Sequence, residues 1–402
     1  MLVNFIETNR KPMKKLLLAI GTTCLFIYAC NPDEESSSDN TYYYVTRLGN
    51  DTLAIERIQK TENSLEADVV LRSPRISLKN YHIEWDDNQK LRSMEAVDFQ
   101  EKFPEIGNEG GTISQTISTK GDSLITESQG RNGMVRSAMP NDGTYLPFID
   151  MVHWPFDIAF NRAHLSETDS VHQYLLTGRR PSDFIIFRTA QNEYTLRHPS
   201  RGVMYVQTDE NGNMTWLDAK ETTRKLIVER VEELDFDRLT ARYIEIDKQG
   251  SPFGTLSPAE ERAARFGGSD FKVSFGSPQK RGRTIFGGIV PYGEVWRTGA
   301  NTASHFSTTK DIYISGNKVP AGEYTLFSIP EENGGTLIIN QQTGQNGQAY
   351  DQSRDLMRVP MMRESNSTEV EGFTIQVVET SGGGSIELLW DRTIYYIDFT
   401  FK

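Results

Sequence analysis

The residues best suited to ligand chemistry lie together in one stretch, RTIFGGIVPYGEVWRTGAN at positions 283–301. Guanidinium groups bind carboxylates through paired hydrogen bonds, and aromatic rings pack against sugar faces and cations. A cleft that gathers such groups would suit a glycan or a small carboxylated molecule. The candidate ligand-binding residues are Arg283, Tyr292, Trp296, Arg297 and Asn301.

The same stretch also has a purely structural interpretation. Its four glycines suit turns, Trp296 suits a hydrophobic core, and Arg297 suits hydrogen bonds to loop carbonyls. On this interpretation the stretch is a packed corner and no ligand enters it. Both interpretations stay open on the sequence alone.

Catalytic and metal-binding motifs are not apparent. The glycines near Gly287 are not followed by the Gly-Lys-Ser/Thr sequence of a phosphate loop. The spacing of His153, His164 and His172 fits neither a helical nor a strand pair of metal ligands. We expect His153 to be a surface or packing residue. The sequence therefore predicts no catalytic residue, no metal site and no cofactor, and it favours a protein that is not an enzyme.

Regular alternation predicts that residues 254–402 form a β-sandwich. Apolar Phe373, Ile375 and Val377 alternate with polar Thr374 and Gln376, and several other short segments between Gly-rich turns show a similar pattern. Ser257 to Glu260 has the form of a capping box with proline at the first helical position. We therefore expect a short helix from Ser257 to Arg265 before the strands begin.

This part of the chain resembles a known family. The string RGRTIFGGIVPYGEVWRTGAN at 281–301 is followed by VPAGEYTLFSIP at 319–330 and by QAYD at 348–351. In this order the strings resemble the DUF2911 family of uncharacterised bacterial exported proteins, over about 254–402. The resemblance implies an identity for the domain and no activity.

The preceding part, residues 41–250, is predicted to form an antiparallel, open and curved sheet with one face exposed to solvent. Residues 65–71 and 81–85 alternate with period two, and turn residues such as Gly49-Asn50-Asp51 separate the segments. Apolar residues recur at helical spacing near 148–164, with a disruption at Pro155, which predicts a helix across the sheet. Asp235 to Ile246 fits a closing helix, although it also alternates. Between sheet and helix lies either a filled core or a cavity for an apolar ligand.

The N-terminal segment has the form of a lipoprotein signal peptide spanning residues 1–30. Lys14 and Lys15 precede an uncharged apolar run, and the run ends at Ile27-Tyr28-Ala29-Cys30, which resembles a bacterial lipobox. We expect Cys30 to be the acylated residue, and Met13 to be the true start. Cleavage at another site and an uncleaved anchor are the alternatives.

Residues 31–40, NPDEESSSDN, are predicted to be an acidic, Ser-rich tether. The run Asp33-Glu34-Glu35 resembles the export signal of some outer-membrane lipoproteins, although a solvated linker would also have this composition. The expected location is the outer membrane of a bacterial envelope, with exposure at the cell surface as one alternative.

The composition of the chain limits which disulfides and which partners are expected. The chain has 402 residues, a formal net charge of −12 and two cysteines, Cys24 and Cys30, so no disulfide forms beyond residue 30. An acidic surface disfavours nucleic acids as partners. The favoured function is an envelope-anchored binding or structural module whose partners are the membrane and a glycan or small molecule. The alternatives are a hydrolase of envelope glycan or peptide, using Arg297 and a carboxylate such as Glu294, and a lipid or lipoprotein carrier through the first domain.

Overall fold

The structure is a computed structural model that describes residues 41–86, 90–104, 107–130, 132–141, 143–177, 180–249 and 253–402. The predicted signal peptide, Cys30 and the tether at 31–40 lie outside the described residues, as do residues 250–252, where the predicted domains 41–250 and 254–402 adjoin. The division into domains at 41–250 and 254–402 stays a prediction. The described residues belong to one compact unit.

A large sheet occupies the first part of the described chain. Its strands are short and rich in alternating apolar residues, as the sequence predicts. Among the described residues the fifteen strands of this first sheet are β1 Thr41–Leu48, β2 Asp51–Lys60, β3 Ser64–Leu71, β4 Ser77–Trp85, β5 Leu91–Phe99, β6 Thr112–Lys120, β7 Ser123–Gly130, β8 Gly133–Pro140, β9 Leu146–Pro147, β10 Ser170–Leu176, β11 Pro181–Ala190, β12 Glu193–His198, β13 Gly202–Thr208, β14 Met214–Thr222 and β15 Ile227–Val231.

The first sheet consists of two meanders joined edge to edge. One runs outward from β1 to β8, and the other contains β9 to β15. The two halves meet where β1 pairs with β15 antiparallel, with Val45 opposite Glu229. All neighbouring strands are antiparallel except β9 and β10, which are parallel. The first strand of the body therefore lies at the centre of the sheet.

Two helices cover opposite faces of the first sheet. Helix α1, Trp154–His164, packs its apolar side chains into a core that includes Tyr44. Helix α2, Phe236–Lys248, packs with Val45, the next residue of the same strand. Because successive strand residues point to opposite faces, the two helices lie on different sides. The face of the first sheet that was predicted to be exposed to solvent is thus partly covered by α2.

The helix boundaries correct the prediction in one place. The helix expected near 148–164 begins only at Trp154, and Pro155 lies in its first turn, where the missing N–H costs nothing. Proline starts this helix and does not interrupt it. The closing helix is present, and the carboxylate of Asp235 caps it by accepting a hydrogen bond from the backbone N–H of Arg238. Neither described helix is long and apolar enough to cross a membrane.

The rest of the described chain forms a second, curled sheet of seven antiparallel strands, a half-barrel. Its strands and those of a small two-stranded ribbon are, in chain order, β16 Ala259–Phe266, β17 Ser269–Gly276, β18 Ser304–Thr308, β19 Ile312–Ile314, β20 Asn317–Val319, β21 Gly322–Glu331, β22 Gly334–Asn340, β23 Asp355–Thr380 and β24 Gly383–Phe399, with a 3₁₀ turn at Gln352–Arg354.

The helix expected from Ser257 to Arg265 is wrong, because these residues enter strand β16. Ala259 to Phe266 lie opposite Ser269 to Gly276 of β17, so the backbone groups that point toward β17 find partners there. Pairing across the sheet overrides a local capping signal. The strand order is β16-β17-β18-β21-β22-β23-β24, and β19 with β20 forms the ribbon.

The curled sheet encloses its own core of aromatic and branched side chains, among them Phe271, Phe306, Phe373 and Trp390. The prediction of a mainly β protein is confirmed. In place of the β-sandwich expected for residues 254–402, the second part is a single curled half-barrel sheet of seven strands with a two-stranded ribbon. Within the single compact body of the described chain, the part built on each sheet is called a unit. The first and second units meet along loops, and a cleft lies between them.

Candidate functional site

The cleft between the two sheets has a volume of about 910 Å³. This is the size of pockets that hold small molecules or short oligomers. The first sheet contributes the loop after β9, the turn between β12 and β13 and the segment after β14, and the second contributes the loop between β17 and β18. The charged and aromatic lining residues are Asp150, Arg201, Glu221, Arg224, Lys225, Arg283, Trp296, Arg297 and Trp390.

Arg281 fixes the two units next to the cleft. Its guanidinium donates to Asp51 Oδ2 at 2.6 Å and to the Phe253 carbonyl at 2.9 Å, and it lies 3.8 Å from the centre of the Phe253 ring. The backbone N–H of Asn50 donates to the Arg281 carbonyl at 2.9 Å. One side chain therefore joins the β1–β2 turn, the linker and the second unit.

The β1–β2 turn requires glycine for this contact. Gly49 has φ +62°, and a Cβ at this position would lie 2.1 Å from the Arg281 carbonyl oxygen. Any side chain would push the turn away from the second unit. The turn signal Gly49-Asn50 is visible in the sequence, but its role in joining the units is not.

Trp296 lies partly in the core and partly at the cleft. Its backbone pairs with Ser328, whose carbonyl accepts from the Trp296 N–H at 2.7 Å. The indole stacks on Trp390 with ring centres 6.1 Å apart and meets Phe373 edge-on at 4.9 Å. Packing on these rings holds the indole rigidly, and its remaining surface lines the cleft.

Arg283 and Arg297 both line the cleft but differ in their partners. Arg283 donates to the carbonyls of Lys280 and Gln279 at 3.0 and 2.6 Å. Burial and the neighbouring charge of Arg281 lower the pKa of Arg283 to about 10. Bonding to loop carbonyls, which the structural interpretation expects of Arg297, is thus the role of Arg283.

The guanidinium of Arg297 makes no hydrogen bond or ion pair with any described residue. It is partly buried, and burial lowers its pKa. A cation that is half withdrawn from water and lacks a counter-ion is costly. Arg297 therefore has unused hydrogen-bonding capacity at the cleft.

The remaining predicted residues take different places. Asn301 lines the cleft, has φ +65° and donates to the Ser257 carbonyl at 3.2 Å. Tyr292 is not among the lining residues; its ring lies beside Gly287. Glu294, proposed as a hydrolytic carboxylate, is exposed and also outside the lining. The structure thus brings Arg283, Trp296, Arg297 and Asn301 to one cleft.

Sequence reasoning missed the contribution of the first sheet. Asp150 accepts from Arg201 at 2.5 Å and also from Arg224. Burial alone would raise the pKa of Asp150, but the hydrogen bond from Arg201 and the charges of both arginines lower it overall. The adjacent Arg224 and Lys225 were the available signal, although nothing in the sequence places them opposite Arg297.

Lys225 faces other cations across the cleft. Its ammonium group donates to the Lys220 carbonyl at 2.9 Å. Burial, followed by the charges of Arg283 and Arg297, lowers the pKa of Lys225. Like charges from both units therefore converge on the same space.

The histidines considered as metal ligands are dispersed. His153 is buried beside Thr46, with Nδ1 3.0 Å from Oγ1, which is the packing role expected as one alternative. His172 pairs with Asp183, and His164 Nδ1 lies 3.4 Å from the Tyr194 hydroxyl. Within the described ranges, no group of three potential ligands is placed to hold a metal ion.

The space beneath helix α1 is small. The cavity there, lined by residues such as Phe148, Phe156 and His198, has a volume of about 30 Å³. That is roughly the volume of one water molecule. An acyl chain does not fit, so a lipid carrier working through this space would need a different conformation.

The second unit matches a known protein family. Residues 257–399 match the family described as "Protein of unknown function (DUF2911)", which confirms the resemblance seen in the sequence. Among solved structures the chain is similar to a DUF1089 family protein from Pseudomonas aeruginosa, with 12% identity and a TM-score of 0.31. That match covers 42% of this chain and 90% of the other. No curated protein matches the chain.

Proposed function

We propose that this chain is an envelope lipoprotein that binds a saccharide in the cleft between its two sheets. The observation that carries the proposal is the position of Trp296, Arg297 and Asn301. These residues belong to the DUF2911 unit, and all three line one cleft of about 910 Å³.

The chemistry of the lining supports a hydroxyl-rich ligand. Besides the part of the Trp296 indole that lines it, the cleft offers the amide side chains of Asn346 and Gln348 and several Ser and Thr hydroxyls. Amides and hydroxyls both donate and accept, so they match sugar hydroxyls in either orientation. A rigid aromatic surface adds contact with the C–H face of a sugar ring.

The lining carboxylates favour binding over hydrolysis. A glycosidase needs two carboxyl groups, one of them with a raised pKa. The described lining offers two, Asp150 and Glu221. The pKa of Asp150 is lowered, and Glu221 accepts a hydrogen bond from Tyr205 at 2.7 Å. The lowered pKa of Asp150 is the opposite of what a general acid needs, and this observation favours binding.

The proposed anchor is an acyl group on Cys30. The support is the signal-like segment at residues 13–30 and the polar tether that follows it. Such an anchor would place the binding cleft at the surface of a bacterial outer membrane. The membrane is then the constant partner and the saccharide the ligand.

The test is to fill the cleft. Thr223 is exposed and lines the cleft, so Thr223→Trp adds bulk there without entering a core. Thr368 is exposed and outside the lining, so Thr368→Trp is the matched control. Full-length protein in detergent is titrated calorimetrically with neutral and acidic oligosaccharides.

We expect wild type and Thr368→Trp to bind at least one oligosaccharide, and Thr223→Trp to lose about tenfold or more in affinity, or about 1.4 kcal/mol. Equal affinity of the two tryptophan variants, or no binding of any saccharide by the wild type, contradicts the proposal.

A further inference from the structure

The charge of the cleft is opposite to that of the protein. The chain as a whole has a formal net charge of −12. The cleft lining nevertheless contains five cationic side chains and two carboxylates. A local excess of positive charge in an acidic protein attracts anions to that place and disfavours them elsewhere.

Three of the five cations already have partners. Arg201 and Arg224 share the carboxylate of Asp150, and Arg283 donates to two backbone carbonyls. Their charges are therefore compensated or their donors occupied. Even so, Nε of Arg224 is buried without a hydrogen-bond partner among the described residues.

Arg297 and Lys225 remain, one from each unit. Arg297 has no partner among the described residues, and Lys225 donates to one carbonyl and forms no direct ion pair with a described residue. Burial, followed by the charges of Arg283 and Arg297, lowers the pKa of Lys225, and the charges of Glu221 and Asp218 offset only part of this effect. Folding alone gains nothing from this arrangement, since removing water from an unpaired charge is unfavourable.

A bound anion would remove both costs. A carboxylate or sulfate group between Arg297 and Lys225 would replace repulsion by two attractive contacts. A guanidinium binds such oxygen atoms through parallel hydrogen bonds, and an ammonium group adds a point charge. The neighbouring Trp296 surface would hold the sugar ring to which the anionic group is attached.

We propose that the saccharide is acidic and that Arg297 and Lys225 bind its carboxylate or sulfate group. This inference rests on the proposed function, the binding of a saccharide in the cleft. The anion is the feature that distinguishes the ligand from neutral sugars. It bridges the two units, because the two side chains come from different sheets.

The experiment compares three saccharide probes on full-length protein in detergent: a galacturonate trisaccharide, a sulfated galactose trisaccharide and neutral galactotriose. We expect at least one acidic probe to bind about tenfold or more tightly than galactotriose, with affinity falling as salt rises from about 50 to 300 mM. The carboxylate and sulfate arms show which anion is preferred.

The variants are Arg297→Gln, Lys225→Gln and the control Arg265→Gln, an exposed arginine outside the lining. Each cleft variant should lose about tenfold in affinity for the acidic probe while the control keeps wild-type affinity. A thermal melt of each variant separates loss of binding from loss of folding.

Three outcomes overturn the inference. If galactotriose binds as tightly as the acidic probes, the cleft binds sugars but not through charge, and only this inference fails. If Arg297→Gln and Lys225→Gln both melt and bind like wild type, the two cations are not the anion site. If no probe binds, the proposed function fails together with the inference.

Discussion

At the scale of single residues, two arginines of the same segment illustrate how partners decide the role of a buried charge. Arg281 has a side chain only 9% exposed, and its guanidinium is bound to Asp51 and to the Phe253 carbonyl. Arg297 is partly buried with no partner among the described residues. We assign the first a structural role and the second a ligand-binding role.

This contrast predicts that substituting Arg281 lowers the stability of the protein much more than substituting Arg297. Arg281→Gln should lower the free energy of unfolding by about 2 kcal/mol, because the Phe253 carbonyl and the contact with the β1–β2 turn lose their donor. Arg297→Gln should change it by no more than about 0.5 kcal/mol, since no hydrogen bond or ion pair with a described residue is removed. Urea denaturation of the two variants measures both. A larger loss for Arg297→Gln than for Arg281→Gln would reverse the assignment.

His198 makes stability depend on pH. Burial, together with the charges of Arg201 and Arg224, lowers its pKa from 6.5 to about 4. Between these values the unfolded chain binds a proton that the folded protein does not, so stability falls as pH drops from about 6.5 to 4. Thermal melts over this range should show a shallower decline for His198→Gln than for wild type. If the melting temperatures of wild type and His198→Gln fall in parallel as the pH drops, His198 is not the source of the pH dependence.

At the scale of elements, buried carboxylates hold helix α1 on the first sheet. Glu56 is fully buried and accepts hydrogen bonds from the backbone N–H groups of His153 and Trp154 at the start of the helix. Asp157 accepts from the hydroxyls of Tyr42 and Tyr44 and from the Met214 N–H. Charge at the helix N-terminus and complete hydrogen bonding make these buried groups tolerable.

Removing the Glu56 carboxylate should weaken the attachment of helix α1 to the first sheet and lower the stability of the protein. Glu56→Ala leaves two backbone donors buried without acceptors, so we expect a loss of about 3 kcal/mol in the free energy of unfolding. Glu56→Gln retains one acceptor oxygen and should lose less. Hydrogen exchange of the α1 amides provides the local readout. Unchanged α1 exchange in Glu56→Ala would show that packing alone positions the helix.

The elements also show how far sequence patterns reach. Period-two alternation predicted the strands because each strand has one buried face, and Asp235 marked the start of α2. The helix predicted from Ser257 to Arg265 was wrong, because pairing of Ala259–Phe266 with β17 outweighs the capping signal. Four of the five proposed site residues line the cleft, but Asp150, Arg201, Arg224 and Lys225 come from distant loops. Only the docking of two units brings them together, and no local pattern encodes that docking.

At the scale of the whole molecule, we propose a membrane-anchored protein that presents the cleft at the surface of a bacterial outer membrane. Acylation at Cys30 is the part of this proposal that mass spectrometry tests. The mature N-terminal peptide from a bacterial host should begin at Cys30 and carry lipid mass, and Cys30→Ala should abolish membrane association. An unmodified Cys30 with the leader still attached would contradict the anchor.

The most direct test of the central proposal is hydrogen exchange with and without the galacturonate trisaccharide. Binding between the two sheets predicts slower exchange on both sides of the cleft at once, at residues 221–225 of the first unit and 296–301 of the second. Protection confined to one unit, or located away from both segments, would contradict a ligand site between the sheets.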